Sequence, residues 1–331
     1  MSILISLVFI AAGIFVLMKS ADWLVSGASS IAAKFNISPM VIGLTVVAFG
    51  TSAPELVVSL TSAISGNTNV ALGNVIGSNI ANILLILGAS ALLCPLIVNK
   101  NTVWKEIPMS FLGAFILFIL GLQNIIDSES IFKIPVFGNE IVGSVTRSNG
   151  LVLLSFFVIF LYYTFGIAKV SSDDEPEIKP RKTMISVLMV IAGLIGLMLG
   201  SKLLVDNAIS IAKLFGVSDT LIGLTLVAVG TSVPELVTSL VAASKKQVDI
   251  AVGNVVGSNI FNIFFVLGLT SLITPLPLPG VNVADLLVLF LTTIALFGFL
   301  FVRKKHIITK VEGSLMLAAY GAYIVFLIYR G

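Results

Sequence analysis

The chain repeats itself at a fixed offset. GLTVVAFGTSAPELVVSL begins at Gly43, and GLTLVAVGTSVPELVTSL begins 180 positions later at Gly223. VALGNVIGSNIANILLILG begins at Val70 and is answered by IAVGNVVGSNIFNIFFVLG from Ile250, at the same offset. The register runs without a gap from about Val25/Val205 to Pro95/Pro275. Both copies lie in apolar stretches near 20 residues, long enough to cross a bilayer as helices. Ten such stretches are read, at 2–32, 38–65, 70–94, 104–121, 149–168, 184–213, 219–244, 249–273, 282–302 and 312–329. Five fall in each half, and an odd number per copy makes the second copy enter the membrane from the opposite side. The predicted fold is an all-α integral membrane protein of ten transmembrane helices in two inverted five-helix repeats. The repeats occupy 1–168 and 184–331, with a linker at 169–183.

Composition agrees. Charged residues are 11% of the chain, against about 25% in soluble domains, and mean hydropathy is +1.13. No ordinary aqueous surface can be built from that. An excess of three positive charges gives no reason to expect nucleic acid as a partner. The single cysteine, Cys94, rules out an intrachain disulfide framework and makes no metal site. The first stretch, MSILISLVFIAAGIFVLMKS, lacks a basic leader and a clear cleavage site. It is expected to be a retained span.

Loop charge sets the expected orientation. One face holds thirteen Lys and Arg residues, from Lys34 through Lys310, and the other holds Lys133, Arg147, Lys213 and Arg330. The richer face is assigned to the cytoplasm of a plasma (inner) membrane, which leaves both termini outside. SSDDEPEIKPRK then becomes a flexible cytoplasmic linker. An extra stretch in the first half, IIDSESIFKIPVFGNEIVGS, has no counterpart and is expected to be an extracellular loop able to form a small hairpin. The long first and sixth stretches carry Lys19 with Asp22 and Lys202 with Asp206, as interfacial or tilted helices do.

Two carboxylates lie deep in apolar sequence, Glu55 and Glu235, at repeat-equivalent positions. An ionisable group at that depth reads as functional by default. Thr51 precedes Glu55 by four residues and shares its helical face. Pro54 removes an N–H and disturbs the helix, so carbonyls near the kink, Ala48 among them, can turn toward a ligand lining a cavity. The second copy offers Ala228, Thr231, Ser232, Pro234 and Glu235 in the same pattern. The following helices add Asn74, Ser78 and Asn82, and Asn254, Ser258 and Asn262, each set spaced by four. Asn74 and Asn254 fit helix–helix bonding and pathway lining equally well. Gly73/Gly77 and Gly253/Gly257 form GxxxG pairs that allow close packing.

The resulting donor set is all oxygen, without thiolate or imidazole, which suits hard cations such as Ca²⁺ or Na⁺. Two ionised glutamates give a charge of −2. One Ca²⁺ or two Na⁺ neutralise it, and neutral oxygens can hold a third Na⁺. Such a cage is stable loaded and costly to move empty, as an exchanger requires.

At these residues the chain resembles the sodium/calcium exchangers of the cation/calcium exchanger superfamily, in their compact prokaryotic form. Its GTSxPE and GNxxGSN stretches look like that family's two α-repeats, and the likeness covers nearly all ten spans. The resemblance implies Thr51, Ser52, Glu55, Ser78 and Asn82 as ligands from one repeat. It implies Thr231, Ser232, Glu235, Ser258 and Asn262 from the other, with the carbonyls of Ala48 and Ala228. It further implies electrogenic exchange of several Na⁺ for one Ca²⁺ and a first and sixth helix that slide as a pair; no resident cofactor and no obligate protein partner are expected. Some members carry Asp where this chain has Asn262, and in the potassium-dependent branch that Asp goes with K⁺ transport. Asn262 therefore argues against K⁺ coupling.

A proton/calcium exchanger is the nearest alternative, since buried glutamates can carry protons; the hydroxyl-rich GTS stretches favour Na⁺ instead. A channel lacks a TVGYG-like filter. An enzyme lacks HExxH or a Ser–His pair within the spans, and an ATP-driven pump lacks GxxxxGK[ST].

Overall fold

The computed structural model describes residues 3–126, 141–166, 180–215, 228–279 and 281–330. Helices dominate: α1 (Ile3–Phe35), α2 (Pro39–Thr51), α3 (Ala53–Ile64), α4 (Thr68–Leu93), α5 (Lys100–Gly121) and α6 (Arg147–Gly166). After the linker come α7 (Thr183–Leu214), a helical turn Ala228–Thr231, α8 (Val233–Ser244), α9 (Val248–Ile273), α10 (Val281–Val302) and α11 (Lys310–Arg330). Among the described residues, eight helices are long and apolar enough to cross a membrane. The pair α2 and α3 makes a ninth candidate span, bent by 43°. The expected span 219–244 is described only from Ala228.

The bend has a local cause. Ser52 sits at φ −83°, ψ 5°, outside the helical basin, and Pro54 opens α3. Ser232 repeats this at φ −86°, ψ 3°, with Pro234 opening α8. Proline is tolerated in a first turn, where its missing N–H would have had no partner.

Burial divides the helices by role. In α4 and α9, 78% and 94% of the apolar window is buried, against 22% in α1, α6 and α11. The helices carrying GNxxGSN are therefore the interior, and the others face outward with Leu4, Tyr162, Met184, Val302 and Tyr329 exposed. Large apolar side chains exposed in this number suit lipid rather than water.

Glycines set the closest approaches. A Cβ at Gly257 would lie 2.7 Å from the Leu44 carbonyl oxygen, and one at Gly253 would lie 2.9 Å from that of Met40. So α9 packs against α2 backbone to backbone, as its GxxxG predicts. The α1–α7 seam is built the same way, with Gly193 against the Ser20 carbonyl and Gly27 against that of Ser186. At 33 and 32 residues, these two helices run about 50 Å, longer than a bilayer core, and must tilt or protrude.

The halves interlock. Gly88 of α4 lies against Gly313 of α11, and Gly268 of α9 against Gly150 of α6. Thus α4 receives α11, and α9, its counterpart at the 180-residue offset, receives α6. Two short antiparallel pairings follow the same exchange. β1 (Leu96–Ile97) pairs with β4 (Ile307–Ile308), and β2 (Ile141–Val145) with β3 (Leu276–Pro279). The described end of the extra loop therefore pairs with the opposite repeat, because α6 docks beside the end of α9. Residues 127–140 of that loop lie outside the described residues.

The turns after α3 and α8 differ in one informative position. Gly66 has φ +83° and Lys246 φ +60°, and both close the same bonds, Asn67 N–H to Ser62 and Gln247 N–H to Ala242, each 2.8 Å. A lysine in the left-handed region costs about 1 kcal/mol that glycine does not. Lys246→Gly is expected to stabilise the protein by up to about 1 kcal/mol, read as a higher melting temperature in detergent; an unchanged or lower value contradicts the strain.

Candidate functional site

Both half-helices that follow the bends begin with a glutamate. Glu55 and Glu235 lie in the first turns of α3 and α8 and are fully buried. A helix N-terminus favours the anion placed there. The hydrogen bonds cross between repeats. Ser52 Oγ donates to Glu235 Oε1 at 2.9 Å, and Ser232 Oγ donates to Glu55 Oε1 at 3.2 Å. Each carboxylate also accepts from the interior helix of its own repeat, Glu55 from Ser78 at 3.3 Å and Glu235 from Ser258 at 3.5 Å. All four bonds fall on the Oε1 atoms. Among the described residues, the buried Oε2 atoms have no hydrogen-bond partner. Among the described residues, no basic side chain pairs with either carboxylate.

Asn74 and Asn254 take part in this crossing. Asn74 gives Nδ2 to the Glu55 carbonyl and to Ser59 Oγ, at 3.1 and 2.9 Å. Asn254 does the same with the Glu235 carbonyl and Ser239 Oγ, at 3.3 and 3.0 Å. Their Oδ1 atoms accept from the opposite repeat: Thr51 donates to Asn254 at 3.0 Å, and Thr231 to Asn74 at 3.2 Å. Of the two roles open from the sequence, bonding between helices is the one the contacts display. These bonds fix where the threonine protons point and leave lone pairs on the hydroxyl oxygens.

The kink frees less backbone than the sequence suggests. The Ala48 carbonyl keeps a partner in Ser52 N–H at 3.0 Å and lies 3.3 Å from Thr51 Oγ1, whose single proton goes to the nearer Asn254. The Gly230 carbonyl, which loses its helical donor to Pro234, accepts from Ser201 of α7 at 2.8 Å. The position 180 before Ser201 is Ala21, which carries no hydroxyl. Ala228 opens the turn Ala228–Thr231.

Asn82 and Asn262 stand one turn beyond Ser78 and Ser258, and their Oδ1 atoms are buried without partners. Both sit in π-helical turns, at Asn82–Leu87 and Phe261–Leu267, a local widening often found at functional sites. Sequence reasoning missed four residues of this network: Ser59, Ser239, Asn79 and Asn259. Their identity across the 180-residue offset was the signal available.

The sequence reading that only two acids lie deep needs a refinement. Glu106, Asp285 and Glu312 are also buried. They lie near helix ends and outside the crossed network: Tyr163 bonds Glu106, whose Oε2 also lacks a partner among the described residues, Arg330 and Tyr323 bond Asp285, and Thr309 bonds Glu312.

The surroundings of the site are unequal. On one side α8 packs against α1, and Lys245 reaches Asp22 and the Ser26 hydroxyl while Ser29 bonds Gln247. The equivalent pair, α7 and α3, makes no comparable packing among the described residues.

The chain is similar in sequence and fold to known proteins. The profile of the family described as sodium/calcium exchanger protein matches residues 5–166 and 185–329. CaxA of Alkalimonas amylolytica, described provisionally as an antiporter, is 40% identical over 97% of this chain and 98% of its own length. The sodium/calcium exchanger MaX1 of Methanosarcina acetivorans is 32% identical over 99% of each chain. A solved structure of the sodium-calcium exchanger NCX_Mj, from crystals soaked with Na⁺ and Ca²⁺, superposes with a TM-score of 0.80 at 35% identity, covering 97% of this chain and 98% of that one. With its matched repeats and its crossed carboxylate network, the chain belongs to the sodium/calcium exchanger family of membrane transporters.

Proposed function

We propose that this protein exchanges Na⁺ for Ca²⁺ across the membrane by alternating access, moving net charge and needing no K⁺. The observation that carries the reading is the pair of buried Oε2 atoms without partners. A buried ionised oxygen with no donor is costly unless a cation meets it. Around them stand the hydroxyls of Thr51, Ser52, Ser78, Thr231, Ser232 and Ser258 and the free amide oxygens of Asn82 and Asn262. That set suits the six to eight oxygens Ca²⁺ accepts. The carbonyls of Ala48 and Ala228 complete it. Asn262 is neutral, which keeps the site charge at −2 and supports the K⁺-independent form.

The wider architecture in this reading is ten spans in two inverted repeats, 1–168 and 184–331, joined by a cytoplasmic linker at 169–183. Both termini lie outside a plasma or inner membrane. The α1–α8 contact then seals the cytoplasmic side, and the looser α7–α3 side opens the site outward.

The test is uptake of ⁴⁵Ca²⁺ into Na⁺-loaded proteoliposomes. Uptake is expected to need the Na⁺ gradient, to respond to an imposed membrane potential and to proceed in K⁺-free buffer. Uptake driven equally well by a proton gradient without Na⁺ would favour the proton/calcium alternative. A strict K⁺ requirement would overturn K⁺ independence.

A further inference from the structure

Two asparagines outside the ligand set control what the ligand asparagines present to the ion. Asn82 gives its Nδ2 to Asn259 Oδ1 at 2.9 Å, and Asn262 gives its Nδ2 to Asn79 Oδ1 at 3.3 Å. Each bond joins one repeat to the other, and the two are images of each other under the 180-residue offset. All four side chains are at most 1% exposed. The Oδ1 atoms of Asn82 and Asn262 and the Nδ2 of Asn79 have no partner. An amide carries its acceptor and its donors on opposite edges. Committing the donor edge of Asn82 to Asn259 therefore turns the oxygen edge the other way, one helical turn from the serine that bonds Glu55. The reverse rotation would aim N–H bonds at the place where a cation must sit.

We propose that Asn79 and Asn259 are positioning residues: each accepts the amide N–H of the opposite repeat's ligand asparagine and so holds that ligand's oxygen toward the transported cation. The proposal rests on the exchanger reading and extends it to residues that touch no ion. Because each repeat orients a ligand contributed by the other, loosening one repeat from the other weakens both amide ligands together.

Aspartate needs no such orientation, since both its edges are oxygen. That gives a test with a built-in rescue. Asn79→Leu removes the acceptor facing Asn262, and Asn259→Leu the one facing Asn82. Each is expected to raise the Ca²⁺ concentration for half-maximal thermal stabilisation, and for half-maximal uptake, by about tenfold. In an Asn262→Asp background, Asn79→Leu should cost less than about twofold, and likewise Asn259→Leu in an Asn82→Asp background. Asn79→Asp keeps the acceptor and replaces a partnerless Nδ2 by a carboxyl oxygen, which at this burial either holds a proton or adds its charge to the field at the cation. It is expected to retain wild-type Ca²⁺ affinity or better, and it tests the idea even where the leucine variant fails to fold. Equal penalties in both backgrounds, or a tenfold loss in Asn79→Asp, mean that these residues serve packing alone and overturn the proposal. A wild-type protein neither stabilised by Ca²⁺ nor able to take it up overturns the exchanger reading, and the positioning role with it.

Discussion

Glu55→Gln and Glu235→Gln are each expected to lower Na⁺-dependent Ca²⁺ uptake by at least about 100-fold while leaving a folded protein. Glutamine has the shape of glutamate, so its Oε1 can go on accepting from Ser78 and Ser232, or from Ser52 and Ser258. What changes is the other atom. An NH₂ group takes the place of the partnerless Oε2, turning a negative oxygen into a donor aimed at the cation. The site charge falls from −2 to −1, too little to neutralise Ca²⁺ in a buried cage. Removing one member of a buried charge pair costs about 2–5 kcal/mol in binding, which corresponds to a loss of this size. The fold should survive, because the substitution removes a charge that was expensive to bury. Glu106→Gln is the control: also buried, but bonded to Tyr163 and outside the crossed network of the two site glutamates, it should keep most of its uptake. Uptake by either site variant within a few-fold of wild type, at matched protein amounts, would refute the carboxylates' role.

Much of this was legible because membrane folds advertise themselves in sequence. A bilayer demands long apolar helices, so most expected spans agree with the helices to within a few residues. The offset of 180 named both glutamates at once, since duplication preserves what both copies need. What stayed hidden depends on which atom faces which neighbour across the repeats. Ser52 was foreseen beside Glu55, yet its hydroxyl bonds Glu235, and no spacing within one segment reveals a partner 183 residues away. Asn79 follows Ser78 directly and so points off the helical face that carries Asn74, Ser78 and Asn82. A search for one polar face passes over it. The pairing of β2 with β3 was illegible for a related reason: it depends on α6 docking on α9, far away in the sequence.

Gly257→Ala is expected to destabilise the protein by about 1–3 kcal/mol and to cut uptake at least about tenfold, and Gly257→Leu to yield no monodisperse protein. A methyl group at Gly257 would lie 2.7 Å from the Leu44 carbonyl oxygen and 2.8 Å from the Ala48 and Leu44 carbons. The obstacle is mainly backbone, which no side-chain rotation relieves, so α9 must move away from α2. That displacement reaches the site at once. Ser258, the next residue, bonds Glu235, while Asn254, one turn earlier, holds Thr51 and the Glu235 carbonyl. Bonds already at 3.3–3.5 Å for Glu235 have little length to spare before they cease to be hydrogen bonds. Gly321 provides the comparison. A Cβ there meets nothing within 4 Å among the described residues, so Gly321→Ala should be neutral or raise stability by up to about 1 kcal/mol through helix propensity. Melting temperature in detergent and ⁴⁵Ca²⁺ uptake, measured on both variants, separate the two glycines. If Gly257→Ala matches Gly321→Ala in both, the close approach of α9 to α2 does not hold the site together.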